Sequence, residues 1–433
     1  MKASRFNVLL PPPPARGGAP VVYNTASARF AAFSAPEAAA LMSGRTALLR
    51  PPSLERAARI GALLPDDHDE LAWYGARHRK LSADRGAATY ICALTLRCNL
   101  ACAYCYQEPL AQRDLAFDQA RAESLVRAIQ ARTRAEGTRR VGLWLFGGEP
   151  LLEPELCLFL LGRLSEWARA EGLAFAGTLT TNGVLLDDAL LERLAPHLTR
   201  VNLTLDGPRE LHDAVRRSDL VPKSFDLVLA AVRRLRARRI PLRLRVQASL
   251  ANLERLSELA DELRAQGLLG QPDVTLAVEL LQDFNKWAPC DRRVQYLAPG
   301  SPAERALPRA ARDLLAGGLP EVQVLPCVMA RNVLCVDPHG DVFKCVTAIG
   351  RPERRVARLL PEGRFEFEPA FDDYTGRDPL SFAACRACAF LPVCGGGCPT
   401  SALARHGTYH RNECGNRRQV LRSKIAAAVF DHA

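Results

Sequence analysis

The sequence predicts an α/β protein centred on a partial (β/α)6 barrel of the TIM type. An N-terminal α+β module precedes the barrel and a cysteine-rich domain follows it. From about residue 89 to 290, short apolar or alternating runs take turns with helical patterns. Tandem βα units imply a parallel sheet with functional residues at the C-terminal ends of its strands. Six units are too few for a closed eightfold barrel. Beyond about residue 320, eight of the fourteen cysteines crowd between Cys327 and Cys414, where long helical patterns are absent.

Each zone follows from its local pattern. In residues 1–88, "RFNVLL" and "PVVYNTASARFAAF" read as two strands joined through "PPPPARGGA". A proline and glycine cluster between apolar runs predicts a hairpin loop. Helical segments follow from Ala35 and around "SLERAARIGALL". In residues 89–290 the expected strands are 90–96, 141–146, 175–181, 200–205, 241–249 and 273–281. Helical runs such as "FDQARAESLVRAIQART" and "SFDLVLAAVRRLRARR" lie between them. Residues 291–326 read as a bridging linker. Residues 327–433, rich in thiols, read as a domain organised by metal.

Composition narrows the classes. The 433 residues are 48% hydrophobic, yet no apolar run reaches the ~18 residues that would span a bilayer. The start lacks a sustained apolar core and runs into prolines, so no signal peptide is expected. A cytoplasmic location follows, and there fourteen cysteines point to metal or redox chemistry rather than disulfides. The net charge of +11 is carried mostly by arginine, with six lysines. A GC-rich genome gives that bias unaided; the sharper reading is a surface that attracts an acidic partner. Nucleic acid is not expected, because the basic residues scatter along helices without interleaved aromatics.

The chemistry begins at "CNLACAYC", where Cys98, Cys102 and Cys105 directly follow the first barrel strand. Three thiols are one short of a tetrahedral site, and no fourth Cys or His lies nearby. Cys92, inside the strand, reads as core. Zinc normally takes paired CxxC or Cys/His ligands, whereas a [4Fe–4S] cluster held by three thiolates leaves one iron open. Strand two ends in "GGEP" (147–150), with Glu149 able to accept from an ammonium group. Strand three ends in "TTNG", carrying Thr180 and Asn182, and strand four in "TLDGP", carrying Thr204 and Asp206. Any one of these is an ordinary turn; at successive strand ends they form a pattern.

With those motifs in place, residues 89–290 resemble the radical S-adenosylmethionine (SAM) superfamily. The resemblance implies that the open iron is chelated by the amino and carboxylate groups of SAM. Reductive cleavage then yields a 5′-deoxyadenosyl radical that abstracts a substrate hydrogen. By position, Cys98, Cys102 and Cys105 would hold the cluster and Tyr104 would lie against the adenine. Gly147, Gly148 and Glu149 would hold the SAM amino group, and Thr204 and Asp206 would face the ribose. "HDAVRR" is similar to a family segment that makes Arg216 the candidate for the SAM carboxylate, with Arg217 second. The bland reading of both arginines is a solvated helix face.

The downstream thiols read independently. "CRACAFLPVCGGGCP" spaces Cys385, Cys388, Cys394 and Cys398 by two, five and three intervening residues; Cys327, Cys335, Cys345 and Cys414 complete eight. Eight thiols suit two fully ligated [4Fe–4S] clusters, and the spacings argue against zinc ribbons. The segment is similar to the SPASM domain. That resemblance implies one auxiliary cluster on Cys327, Cys335, Cys345 and Cys398 and another on Cys385, Cys388, Cys394 and Cys414. Cys335 is the ligand the pattern does not demand. Cys157 and Cys290 read as bystanders.

SPASM-type enzymes act on peptides or proteins, so a crosslinked or otherwise modified ribosomal peptide is the expected product. Sulfatase maturation is the less favoured alternative, because Val346 follows Cys345 where that subgroup carries an aspartate. A non-catalytic electron-transfer protein and an RNA-modifying enzyme are competing classes. The expected partners are a peptide or protein, with a leader that an acidic composition would suit, and a ferredoxin or flavodoxin as electron donor. Residues 1–88 are expected either to bind the leader, by adding it to a sheet edge, or to cap the barrel. No general base is assigned.

Overall fold

In the computed structural model, residues 1–12, 18–107, 115–249, 251–280, 319–415 and 417–431 are described. Two compact units emerge from the contacts. One gathers Met1–Ala83, Leu315–Arg331 and Tyr374–Ala433; the other gathers Asp84–Leu314 and Asn332–Asp373. Residues 291–318 of the expected linker 291–326, and Cys290, lie outside the described residues.

The first unit opens with β1 (Lys2–Ala3), β2 (Asn7–Leu10), β3 (Val21–Asn24) and β4 (Arg29–Ala32). Helices α1 (Ala35–Met42) and α2 (Pro51–Arg59), strand β5 (Leu63–Leu64) and helix α3 (Glu70–Ser82) follow. The expected second strand is in fact two. Asn24 Oδ1 accepts the amides of Ala26 and Ser27 at 3.1 and 3.0 Å, an Asx turn that reverses the chain, and Ala28 takes φ +56°. The result is an antiparallel meander β2–β3–β4. Alternation along β3 splits its side chains between two cores. Val22 joins Phe33, Leu41, Ala57 and Ile60, while Val21 and Tyr23 join Phe390, Val393, Ile425 and Val429.

The second unit is built on one ten-stranded sheet. Its parallel strands are β6 (Ala87–Ala93), β7 (Arg140–Phe146), β8 (Ala174–Thr180), β9 (Arg200–Thr204), β10 (Leu242–Ala248) and β11 (Val274–Leu280). Then come β12 (Val333–Val336), β13 (Asp341–Phe343), β14 (Ala357–Leu360) and β15 (Arg364–Phe367). The order is β11-β10-β9-β8-β7-β6-β12-β13-β14-β15. Six of these match the expected barrel strands within a few residues. The seventh parallel strand, β12, pairs with β6 and places Cys335 opposite Ile91.

Helices fill the connections: α4 (Gln119–Glu136), α5 (Pro154–Ala170), α6 (Asp188–Leu194), α7 (Arg209–Val215), α8 (Phe225–Ala237) and α9 (Leu256–Ala265). Their starts are written locally. Asp118 accepts from Arg121 N at 2.7 Å and Asp187 from Leu190 N at 2.8 Å. Strand β10 alternates strictly: Leu242, Leu244, Val246 and Ala248 are buried, while Arg243, Arg245 and Gln247 share the opposite face.

Helix α10 (Pro369–Thr375) leads to the short helices α11 (Ala383–Arg386) and α12 (Leu391–Cys394), then α13 (Pro399–His406) and α14 (Arg417–Asp431). Among the described residues no helix is long and apolar enough to cross a membrane.

Candidate active site

The loop after β6 carries Cys98, Cys102 and Cys105 and is pinned from two sides. The amides of Gly148 and Glu149 donate to Thr95 O (2.9 Å) and Arg97 O (2.8 Å). A side chain at Gly147 would collide with Thr95 O, and one at Gly148 with Arg97 O. The two glycines of "GGEP" are therefore required by the approach of the thiol loop itself. On the other side Ala101 N and Ala103 N donate to Arg217 O (2.8 Å) and Val215 O (3.0 Å), and Ser218 Oγ to Asn99 O (2.7 Å).

The three thiols are neighbours. Burial raises the Cys98 and Cys102 pKa values, Cys102 to about 12; Cys105 adds to both and Cys98 to Cys102, while Arg216 opposes both and the Leu100 amide opposes Cys98. Leu100 N (3.4 Å) and Asn182 Nδ2 (3.8 Å) donate to Cys98 Sγ. A cluster, which spreads its thiolates over separate irons, suits this donor set better than zinc.

Glu149 is fully buried, and its carboxylate accepts from Leu151 N (3.0 Å), Thr181 Oγ1 (2.7 Å) and Asn182 N (2.8 Å). It ties the end of β7 to the end of β8. Burial still lifts its pKa above the usual carboxylate range. Thr180 Oγ1 accepts from Trp144 Nε1 (2.7 Å) and Asn202 Nδ2 (2.9 Å), and Thr204 is buried beside Arg245 in the β9–β10 register.

Tyr104, Asp206 and Arg216 form one buried cluster. The Tyr104 hydroxyl donates to Asp206 Oδ2 and accepts from Arg216 Nη1 at 2.5 Å; Arg216 and Asp206 pair at 3.5 Å. Asp206 is further held by Gln247 N on its Oδ1 (2.8 Å). Burial opposes the Arg216 charge, and Cys102, Tyr104 and Asp206 more than offset it. Arg216 Nε is buried and has no hydrogen-bond partner. An orphaned guanidinium donor near Cys102 fits an anionic group such as the SAM carboxylate. The solvated-face reading of this arginine does not hold, for it is 7% exposed.

The preceding motif residues are structural. His212 is buried, accepts Asp206 N on Nδ1 (3.1 Å) and so donates from Nε2 to Ser224 Oγ (3.0 Å). Burial pushes its pKa down to about 3. Asp213 Oδ1 accepts Ser224 N and Phe225 N at the start of α8. Sequence reasoning passed over Tyr106, although its position directly after the third cysteine was visible. It lies near Cys105, Cys335, Cys345 and Arg245, and its hydroxyl donates to Val346 O at 3.4 Å.

In the first unit, Cys385, Cys388, Cys394 and Cys414 line one pocket together with Arg417. Burial pushes Cys385 up to about 12, with Cys414, Cys394 and Cys388 adding to it. Four convergent thiols are a donor set fit for a cluster. Cys398 caps α13, accepting Ser401 N at 3.5 Å, and Cys327 precedes a short 3-10 turn, Val328–Ala330. Cys345 precedes another, Val346–Ala348. Cys92 and Cys157 are fully buried, and Cys157 donates to Pro150 O at 3.2 Å.

Comparison with known proteins agrees with this geometry. A profile of the radical SAM superfamily matches residues 93–263. The PqqA peptide cyclase of Ruegeria pomeroyi is 31% identical over 336 residues, covering 72% of this chain and 83% of that protein. The mycofactocin maturase MftC of Mycobacterium tuberculosis is 28% identical over 344 residues, covering 73% and 80%. The crystal structure of Streptococcus suis SuiB bound to its precursor peptide SuiA covers 95% of this chain and 99% of its own, with TM-score 0.53 and 14% identity, a likeness of fold. The chain belongs to the radical SAM superfamily, as an enzyme whose cysteine-rich C-terminal part is of the SPASM type.

Proposed function

We propose that this enzyme uses SAM-derived radical chemistry to install a crosslink or related modification in a ribosomally made peptide. The observation that carries the reading is the trio Cys98, Cys102 and Cys105 gathered beside Arg216, whose Nε is buried without a partner. When bound, SAM and its cluster supply a 5′-deoxyadenosyl radical able to take a substrate hydrogen. The chain's own residues bind and orient. Arg216 meets the SAM carboxylate, and Tyr104 and Asp206 fix its guanidinium. Gly147, Gly148 and Glu149 hold the amino group through their backbone, since the Glu149 carboxylate is committed to Leu151, Thr181 and Asn182. Thr180, Asn182 and Thr204 line the same strand ends.

Two auxiliary clusters complete the cofactor set. The pocket of Cys385, Cys388, Cys394 and Cys414 supports one; Cys327, Cys335, Cys345 and Cys398 are assigned to the other. The enzyme works in the cytoplasm with an acidic electron donor of the ferredoxin or flavodoxin kind. The peptide's leader adds to the open edge strand β4, whose Arg29 and neighbouring Arg56 and Arg59 favour acidic residues. The kinship with peptide maturases supports the substrate class. Anaerobic reconstitution with SAM and dithionite is expected to give 5′-deoxyadenosine, and co-expression with a candidate ribosomal precursor peptide a shifted peptide mass. No 5′-deoxyadenosine above background would refute the enzyme reading; an unchanged peptide mass would refute the substrate.

A further inference from the structure

The feature that neither SAM nor the thiol pattern explains is a buried arginine, Arg377, that precedes the second half of the cysteine-rich region. It is 6% exposed. Its guanidinium makes four hydrogen bonds, all to backbone carbonyls: Nε to Tyr409 O (2.8 Å), Nη1 to Gly395 O (3.3 Å), and Nη2 to Gly396 O (2.6 Å) and Arg411 O (3.2 Å). The guanidinium also stands over the Phe382 ring, 5.0 Å from its centroid. Among the described residues no carboxylate pairs with it. A buried charge balanced only by neutral carbonyls is costly, so its counter-charge has to come from elsewhere.

The surrounding groups that carry negative charge when ligating are thiols. Cys385, Cys398 and Cys394 all lie close enough to Arg377 for their charge to act on it. Cys385 and Cys394 line the four-cysteine pocket. Two of the four carbonyls that Arg377 grips, Gly395 O and Gly396 O, belong to the glycine run between Cys394 and Cys398. All three glycines take positive φ, of 63°, 82° and 82°. Gly395 and Gly397 are closed to a side chain by backbone, of Leu325 and Pro326 and of Glu413, and Gly396 is crowded by the Pro379 and Arg377 side chains. Such a loop turns its carbonyls inward and needs a multiple donor to satisfy them. Tyr409 and Arg411 lie in the segment that leads to Cys414, so one guanidinium ties both thiol-bearing stretches together.

We propose that Arg377 is a positioning residue for the auxiliary iron–sulfur site on Cys385, Cys388, Cys394 and Cys414: it clamps the Cys394–Cys398 loop to the segment before Cys414 and, with Arg417 at the pocket itself, supplies positive charge that balances the ligating thiolates. The inference rests on the auxiliary-cluster reading above. Net charge around a cluster and the rigidity of its ligands both set its reduction potential, so removing this charge makes the cluster harder to reduce. Loosening the clamp makes it easier to strip.

The test uses the full chain carrying Cys98→Ala, Cys102→Ala and Cys105→Ala, so that auxiliary iron is read alone. This parent is compared with its Arg377→Gln and Arg377→Lys derivatives for iron and sulfide content, for midpoint potential by EPR-monitored redox titration, and for the rate of iron release to a chelator. Arg377→Gln is expected to shift the midpoint to more negative potential and to release iron several-fold faster. Arg377→Lys, which keeps charge without the fork, is expected to hold a midpoint near the parent's while releasing iron faster. A Gln variant equal to the parent in midpoint and release rate overturns the proposal. Should the Gln variant fail to fold, a Lys variant with the parent's release rate overturns it. A parent that holds no auxiliary iron overturns the cluster reading and the proposal with it, and that failure is visible before any change at Arg377.

Discussion

Arg216 concentrates the chemistry at the residue scale. Its Nη1 is committed to Tyr104 and its charge to Asp206, leaving Nε for a ligand. Replacing it by Gln leaves Asp206 buried without its cation and removes the anion donor. Hydrogen bonds to charged groups contribute about 1.5–3 kcal/mol, so SAM affinity should fall at least about tenfold. Anaerobic equilibrium dialysis checks this, and an unchanged Kd would remove Arg216 from the carboxylate. His212 gives a pH prediction. Its folded pKa, about 3, lies below the unfolded value near 6.5. The unfolded chain therefore binds the extra proton between those values, and stability is lost as pH falls below about 6.5, by up to about 1.4 kcal/mol per pH unit. His212→Asn should flatten that slope in urea titrations between pH 5 and 7. A slope equal to the wild type's would show that another group sets it.

Among the elements, β4 has a testable edge. Phe33 N donates to Pro20 O, so the pairs Val22–Ala31 and Asn24–Arg29 are the hydrogen-bonded ones. Ala32, opposite Val21, therefore turns its N–H away from β3 and toward the edge. Ala32→Pro removes that donor without breaking a bond to β3, and should change stability by less than about 1 kcal/mol. Leader-peptide binding, read by fluorescence anisotropy, should fall at least about tenfold if the peptide docks as an added strand; unaltered binding would place the leader elsewhere. The elements were legible to different degrees. Strands β7 to β11 were readable because apolar runs bounded by turn residues mark their ends. The break between β3 and β4 was not, because it depends on one side chain, Asn24, closing a turn inside an otherwise strand-like run.

For the whole molecule, a net charge of +11 should speed encounter with an acidic electron donor and make it salt-sensitive. Turnover driven by a flavodoxin is expected to drop several-fold between low and high salt, while turnover driven by dithionite stays flat. Equal salt responses would show that charge does not steer the donor. At this scale the thiols were the most legible feature and their surroundings the least. The spacing of Cys98, Cys102 and Cys105 announces an open cluster without any structure. Nothing in the sequence announced that Arg377 grips the loop between Cys394 and Cys398, or that Tyr106 lies among three of the thiols.

The sequence by itself determined the alternating βα units, the three-thiol loop, the strand-end motifs and the eight downstream cysteines. These are periodic or short-range patterns, set by strand and helix repeats and by ligand spacing within a few residues. Tertiary structure alone decided that Glu149 spends its carboxylate on the ends of β7 and β8, and that β12 extends the sheet beyond β6. It alone left Arg216 one donor short of satisfaction. The physical reason is that a buried polar group takes whichever partner the fold brings within hydrogen-bond reach. That choice is made across about thirty residues for Glu149 and more than a hundred for Arg216, where local pattern carries no information.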